Sequence, residues 1–84
     1  MFYHSSKFRK QSKRLSEKMR REVGTRLEIL VNNEFNEALN NHKLSGEYEG
    51  CRSINITGDL RLVYKRLGNG FYLVAVGTHG ELYE

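Results

Sequence analysis

Four residues in the second half of the chain carry side chains suited to breaking a phosphodiester: His42, Asp59, Arg61 and His79. An imidazole with an ordinary pKa of ~6.5 can give or take a proton near neutrality. A carboxylate can act as base or orient an imidazole, and a guanidinium matches two phosphate oxygens at once. RNA carries its own nucleophile in the 2′-hydroxyl. The protein would need only to align that oxygen, take its proton, stabilise charge on phosphorus and protonate the leaving 5′-oxygen. No metal is required, and no Cys/His/Asp/Glu spacing matches a metal site or a cofactor motif. Arg52, Asn55 and Tyr83 are candidates for holding substrate. Asn55 shares a strand face with the catalytic set, and Tyr83 could stack on a base. Arg52 shares parity with Ile54 and Ile56, so it points to the core side unless a bulge intervenes. The plainer reading of Asp59 is a turn residue after Gly58, and that of Arg61 a solvent-facing strand residue.

The elements that must position these groups are legible from periodicity. Met-Phe-Tyr-His at residues 1–4 suits a first strand. Ser5 and Ser6 offer helix caps, and a helix over Ser6 to Leu15 carries Phe8 and Leu15 on a narrow apolar stripe. Ser16 followed by Glu17 reads as a second cap. Met19, Val23, Leu27 and Leu30 then recur as one face of an amphipathic helix, widened by Ile29 and Val31. Phe35 and Leu39 suggest one more helical turn. The period then changes to two. Tyr48 to Thr57 reads as a strand with Ile54 and Ile56 on one side; Gly58-Asp59 is a turn; Leu60, Leu62 and Tyr64 share a face. Asn69-Gly70 is a hairpin signal, and Phe71 to Val76 is apolar on both faces, as a central strand would be. The expected fold is α+β: two N-terminal helices on one face of a small, mainly antiparallel four-stranded sheet in the order β-α-α-β-β-β, in a single domain over residues 1–84.

Eighty-four residues allow one small core. A single Cys51 excludes an internal disulfide and suits a reducing compartment, and no apolar run resembles a leader or a membrane span. A cytoplasmic protein with no membrane partner is expected. The net charge of +4 is unevenly placed. Between Lys7 and Arg21, eight cations (Lys7, Arg9, Lys10, Lys13, Arg14, Lys18, Arg20 and Arg21) face a single acid, Glu17, whereas the remaining chain is net acidic. Such a patch attracts a polyanion or an acidic partner segment. Lys7, Lys10, Lys13 and Arg14 are the candidate contacts.

The pattern His42-x-Leu44-x-Gly46-x-x-x-Gly50-x-Arg52, then Asp59-x-Arg61-Leu62-Val63-Tyr64-Lys65, then Val76-Gly77-Thr78-His79 resembles the RelE/ParE superfamily of small bacterial toxins, and within it the YafQ branch. The resemblance implies the toxin of a type II toxin–antitoxin system: a ribosome-dependent endoribonuclease that cleaves mRNA, with the ribosome and a cognate antitoxin as partners and no small-molecule cofactor. It places active-site histidines at His42 and His79, an acid at Asp59 and an aromatic residue at Tyr83. Arg61 stands where RelE has an arginine. Two positions depart from the branch: a further histidine is replaced by Asn55, and a tryptophan by Leu60. The alternative on the same fold is a ParE-like toxin that inhibits DNA gyrase without chemistry, for which the histidines and Arg61 would have no use. A plain RNA-binding module is a third reading.

Overall fold

The computed structural model describes residues 1–83. The chain runs β1 (Phe2–His4), α1 (Ser6–Lys13), α2 (Glu17–Asn32), a 3-10 turn (Glu37–Leu39), β2 (His42–Lys43), a second 3-10 turn (Gly46–Tyr48), β3 (Arg52–Thr57), β4 (Leu60–Leu67), β5 (Gly70–Thr78) and α3 (His79–Tyr83). The α+β class, the two N-terminal helices and the strand that precedes them are as the periodicity predicts. The sheet has five strands rather than four, in the order β1-β5-β4-β3-β2, because His42 and Lys43 add a two-residue edge to β3. Only the β1–β5 pair is parallel.

Both helices are capped as expected. The Ser5 hydroxyl accepts from Phe8 N at 2.9 Å, and the Ser16 hydroxyl from Met19 N at 3.1 Å. The break between the helices is braced by Arg20, whose guanidinium donates to the carbonyls of Ser12 and Leu15 at 3.2 and 2.7 Å and so satisfies acceptors that a helix end leaves open. The helix α1 also completes β5. The strand β5 has nine residues and β1 three, so β5 has polar groups that β1 cannot reach. The Ser5 hydroxyl donates to Val74 O at 2.8 Å, and the Gln11 side-chain oxygen accepts from Val76 N at 2.8 Å.

Two bulges decide which side chains face the helices. The pairs Val63↔Ala75 and Tyr64↔Leu73 leave Val74 without a partner, and Asn55↔Arg61 followed by Thr57↔Leu60 does the same to Ile56. An extra residue reverses the alternation of a strand. Phe71, Leu73 and Val76 therefore all join the core under the helices, with Phe8, Val23, Leu30, Leu39, Ile54, Ile56, Leu62 and Tyr64. Val63 and Ala75 turn to the opposite face, which has a small core of its own with Tyr48 and Leu82.

Several details differ from the sequence-based expectation. The helix α1 stops at Lys13. Met19 and Val31 stay exposed, since the buried stripe of α2 is narrower than the apolar residues suggest. Tyr48 lies in a turn, not in a strand. The hairpin loop is Gly68-Asn69, one residue earlier than the Asn69-Gly70 signal, because Leu67 pairs with Gly70. Gly68 has φ +60° and Asn69 has no positive φ, the pattern of a II′ rather than a I′ loop.

Beyond α2, a hydrogen-bonded chain fixes the connection to β2. Tyr64 is fully buried, and its hydroxyl donates to Glu34 Oε2 at 2.6 Å and accepts from Asn41 Nδ2 at 2.7 Å. Arg52 Nε donates to Asn41 Oδ1 at 2.6 Å, and Arg66 lies 3.6 Å from the Glu34 carboxylate. Phe35 is not in the core: its ring supports the Arg52 guanidinium at 5.1 Å. Burial, then the bond to Glu34, pushes the Tyr64 pKa above its ordinary value of 10.0. The unfolded chain would therefore lose this proton at a lower pH than the native protein, and stability falls as pH rises past about 10. Tyr64→Phe is expected to cost about 1–3 kcal/mol at neutral pH, because Glu34 and Asn41 lose their partner. It should also flatten the alkaline fall. Urea unfolding at pH 7 and pH 10.5 measures both, and an unchanged midpoint at pH 7 would remove the network from the stability of the fold.

Candidate active site

The second face of the sheet carries a row His42, Ser53, Val63, Ala75 and beside it a row Asn55, Arg61, Gly77, each set by direct cross-strand pairing. Two pieces of chain fold over these rows. One is the turn Gly46–Tyr48, whose Tyr48 is buried. The other is α3, which returns from the end of β5. Its first turn is held by a reciprocal cap: Thr78 N donates to Glu81 Oε1 at 2.8 Å, and Glu81 N donates to Thr78 Oγ1 at 3.2 Å. Gly77 leaves room for it, since a Cβ there would stand 2.9 Å from Glu81 Oε1 and 3.4 Å from Leu82 Cδ2. The helix sets His79 and Tyr83 one turn apart, with ring centroids 4.9 Å apart at 60°. Tyr83 is then fixed from below, its hydroxyl donating to Ser53 Oγ at 3.2 Å, and from the side by Tyr48, edge to face at 6.1 Å.

Between these covers lies a pocket of about 570 Å³, lined by His42, Arg61, His79 and Tyr83 with Asn40, the stretch Leu44 to Tyr48 and Leu82. Two imidazoles, one guanidinium and one phenol thus converge from β2, β4 and α3, although up to 41 positions separate them in the chain. Asn40 has φ +47°, and its carbonyl stands 2.9 Å from His42 Nδ1. A carbonyl can only accept, so in the neutral ring Nδ1 carries the proton and Nε2 is the free base. Arg61 Nη1 donates to Gly58 O at 3.0 Å, which steadies the guanidinium and leaves most of its donors unused.

Not every residue singled out in the sequence reaches this pocket. Asp59 is exposed in the β3–β4 turn and lines a separate groove with Leu15, Lys18, Met19 and Glu22, because the bulge at Ile56 turns the β3–β4 loop toward α2. Arg52 faces the helix side, as its parity suggested, and is held by Asn41 and Phe35. Asn55 sits beside Arg61 across β3 and β4 but does not line the pocket, and its side-chain oxygen is buried without a partner. Lys7 does not stand free on α1: it donates to the Tyr48 hydroxyl at 2.7 Å and lies 3.9 Å from Glu47, bracing a wall of the pocket. The bond to Tyr48 raises its pKa above the ordinary lysine value. Lys10, Lys13 and Arg14 are exposed and have no ion-pair partner among the described residues. Sequence reading missed α3, Tyr48 and Asn40. The helix had a signal in Thr78-x-x-Glu81; the Lys7–Tyr48 contact had none. No group of three or more His, Cys, Asp or Glu among the described residues is placed to hold a metal ion.

Solved structures share this fold. Escherichia coli YafQ superposes with TM-score 0.84 at 20% identity, covering 100% of this chain and 98% of the other. YafQ in the E. coli DinJ–YafQ toxin–antitoxin complex gives 0.81 at 22%, over 100% and 97%. The YoeB–YefM complex from Staphylococcus aureus gives 0.80 at 20%, over 94% and 95%. Among curated proteins no sequence match was found. The family model described as "Bacterial toxin of type II toxin-antitoxin system, YafQ" matches residues 1–84. The chain belongs to the YafQ family of type II toxins.

The cover over the pocket depends on Gly77. In Gly77→Ala the new methyl group displaces the Glu81 carboxylate from Thr78 N, costing about 0.5–2 kcal/mol of helix capping. Amide exchange at Glu81 to Tyr83 should accelerate, while exchange in β4 stays slow. Unchanged protection of α3 would mean that the cap does not hold it.

Proposed function

We propose that this toxin is a metal-independent endoribonuclease that cleaves mRNA on the ribosome, acting in the cytoplasm and held inactive by a cognate antitoxin. The observation that carries the reading is the convergence of His42, Arg61, His79 and Tyr83 on one pocket. A protein that acted only by docking would have no use for two imidazoles facing a guanidinium there. Membership of the YafQ family supports the toxin role, and the DinJ–YafQ and YoeB–YefM complexes support an antitoxin partner. No helix is long and apolar enough to cross a membrane among the described residues.

In this reading His42 is the base. Its Nδ1–H is committed to Asn40, so Nε2 takes the proton of the 2′-hydroxyl as that oxygen attacks phosphorus. Arg61 neutralises the charge that develops on the phosphorane oxygens. His79, exposed at the start of α3, protonates the leaving 5′-oxygen. The products are a 2′,3′-cyclic phosphate and a 5′-hydroxyl. Tyr83, held by Ser53 and Tyr48, lies against His79 and gives a base a surface to stack on. Asp59 and Arg52 take no part in proton transfer from where they stand, and Asn55 faces Arg61 only through the pairing of β3 with β4. Lys10, Lys13 and Arg14 supply the sequence-independent attraction to ribosomal RNA.

Expression without an antitoxin, followed by mapping of mRNA 5′ ends, is the direct test. Discrete cuts within translated frames are expected, and His79→Ala should abolish them, a fall of about 10²-fold or more for loss of a general acid, while thermal unfolding stays within a few degrees of the parent. Growth arrest with intact mRNA and damaged chromosomes would replace this reading with gyrase inhibition. Neutralising Lys10, Lys13 and Arg14 together should weaken ribosome binding and reduce the slope of log affinity against log salt by about 2, as each phosphate contact contributes roughly 0.7 to 0.9. An unchanged slope would take α1 out of the ribosome interface.

A further inference from the structure

A second cleft, of about 430 Å³, opens where β2 and the start of β3 meet the far half of β4. Its walls include Lys43, Glu49, Cys51, Arg52, Lys65 and Arg66. Four of these six are cations. Lys43 and Arg52 are direct cross-strand partners, and like charges so placed destabilise a sheet. Neither Lys43 nor Arg52 has an ion-pair partner among the described residues. Arg52 is held by an amide and an aromatic ring rather than a carboxylate, and Arg66 shares Glu34 while lying 4.7 Å over the Phe71 ring. Lys43 and Lys65 have no ion-pair partner among the described residues, and neither does Glu49. The cleft adjoins the active pocket. Leu44 lines both, and the two residues of β2 are divided between them, His42 to one and Lys43 to the other. Along β4, Arg61 and Lys65 are four residues apart, roughly 13 Å, a span of about four stacked nucleotides or fewer.

We infer that this cleft grips the phosphate backbone of the substrate strand beside the linkage being cut. Lys43 and Lys65 meet phosphate oxygens, and Arg52 and Arg66 supply the field between them. An ammonium is a point charge without a fixed fork, so it accepts a phosphate in many orientations and carries no preference for base sequence. The inference rests on reading the chain as a toxin that cleaves RNA, and it adds a determinant of grip outside the pocket where the bond is broken.

Binding of 2′-O-methyl RNA, which lacks the nucleophile and cannot be cut, tests it. Oligonucleotides of two and eight residues are titrated against the parent protein, a K43Q/K65Q variant and a K18Q/R21Q variant with the same net charge, at 50 and 200 mM salt. Both variants replace exposed cations, and circular dichroism verifies their folding. The cleft predicts that K43Q/K65Q binds the octamer about tenfold more weakly, with a salt slope reduced by about 1.4 for two lost single-strand contacts. The dinucleotide should bind all three proteins alike, and K18Q/R21Q should change octamer binding by less than about twofold. Equal losses in the two variants would assign the effect to total charge and overturn the inference. So would octamer binding unaffected by K43Q/K65Q, even with weaker binding to vacant ribosomes, since the cleft would then serve ribosomal RNA. An octamer held no tighter than the dinucleotide by the parent protein would overturn it as well. The proposed activity is judged separately. Absence of cleavage on ribosomes together with the predicted octamer result would leave the cleft standing and remove the nuclease reading, whereas normal cleavage with unaffected octamer binding would remove only the cleft.

Discussion

The reciprocal bond between Thr78 and Glu81 is a small interaction on which the pocket depends. A strand that ends at the sheet surface would otherwise run on into solvent, and its terminal amide would be unpaired. Here that amide is taken by a carboxylate three residues on, and the chain turns back over Gly77. The turn gives the second face of the sheet a cover. Leu82 joins the small core with Val63 and Ala75, Tyr83 reaches Ser53, and His79 comes to line the pocket with His42 and Arg61. A sheet with one face under helices and the other bare would have no such pocket, so the site follows from the cover on the second face.

Much of the fold was legible because helices and strands declare themselves through period and caps. Ser5 and Ser16 marked two helix starts correctly, and Ile54, Ile56, Leu62 and Tyr64 were recognisable as core. The two bulges were not legible, although they decide which of Val74, Ala75 and Val76 faces the helices. A bulge arises from the fit of two partner strands, and neither strand shows it alone. The same limit explains Asp59. Parity placed it on the active face with Arg61, and the bulge at Ile56 turned the loop away. His42, Arg61, His79 and Tyr83 were legible by residue type, and the structure brings them to one pocket. Lys7 looked like one more cation on a basic helix, yet its partner Tyr48 lies 41 positions away, beyond the reach of any local pattern.

The departures from the YafQ branch have a physical setting. Asn55 stands in the row with Arg61 and Gly77 but keeps a side-chain oxygen buried without a partner. An unpaired polar atom in the interior costs free energy, and here it belongs to the residue paired directly across the sheet from Arg61. The pocket therefore has two imidazoles and one arginine, with the neutral amide beside the arginine rather than a third titrating ring. On the other side of the sheet, Glu34, Asn41, Arg52, Tyr64 and Arg66 form a polar chain that ties the end of α2 to the edge strand. This chain fixes β2, and so His42, from behind. The two arginines are divided between the two faces, Arg52 in the polar chain and Arg61 at the pocket.

The parallel pairing of β1 with β5 has a further meaning for how the molecule comes into being. Ser5 and Val74, 69 positions apart, are hydrogen-bonded, and Phe2 lies against Phe71. During synthesis the first strand and both helices emerge long before the strand that they must pack against. The core that Phe8, Val23 and Leu30 enter is incomplete until Phe71, Leu73 and Val76 are made, and closing so long a loop is slow relative to local folding. The pocket is later still, since His79 and Tyr83 follow that strand. A growing chain therefore has no formed pocket until the segment that carries His79 and Tyr83 has been made and has folded back over the sheet.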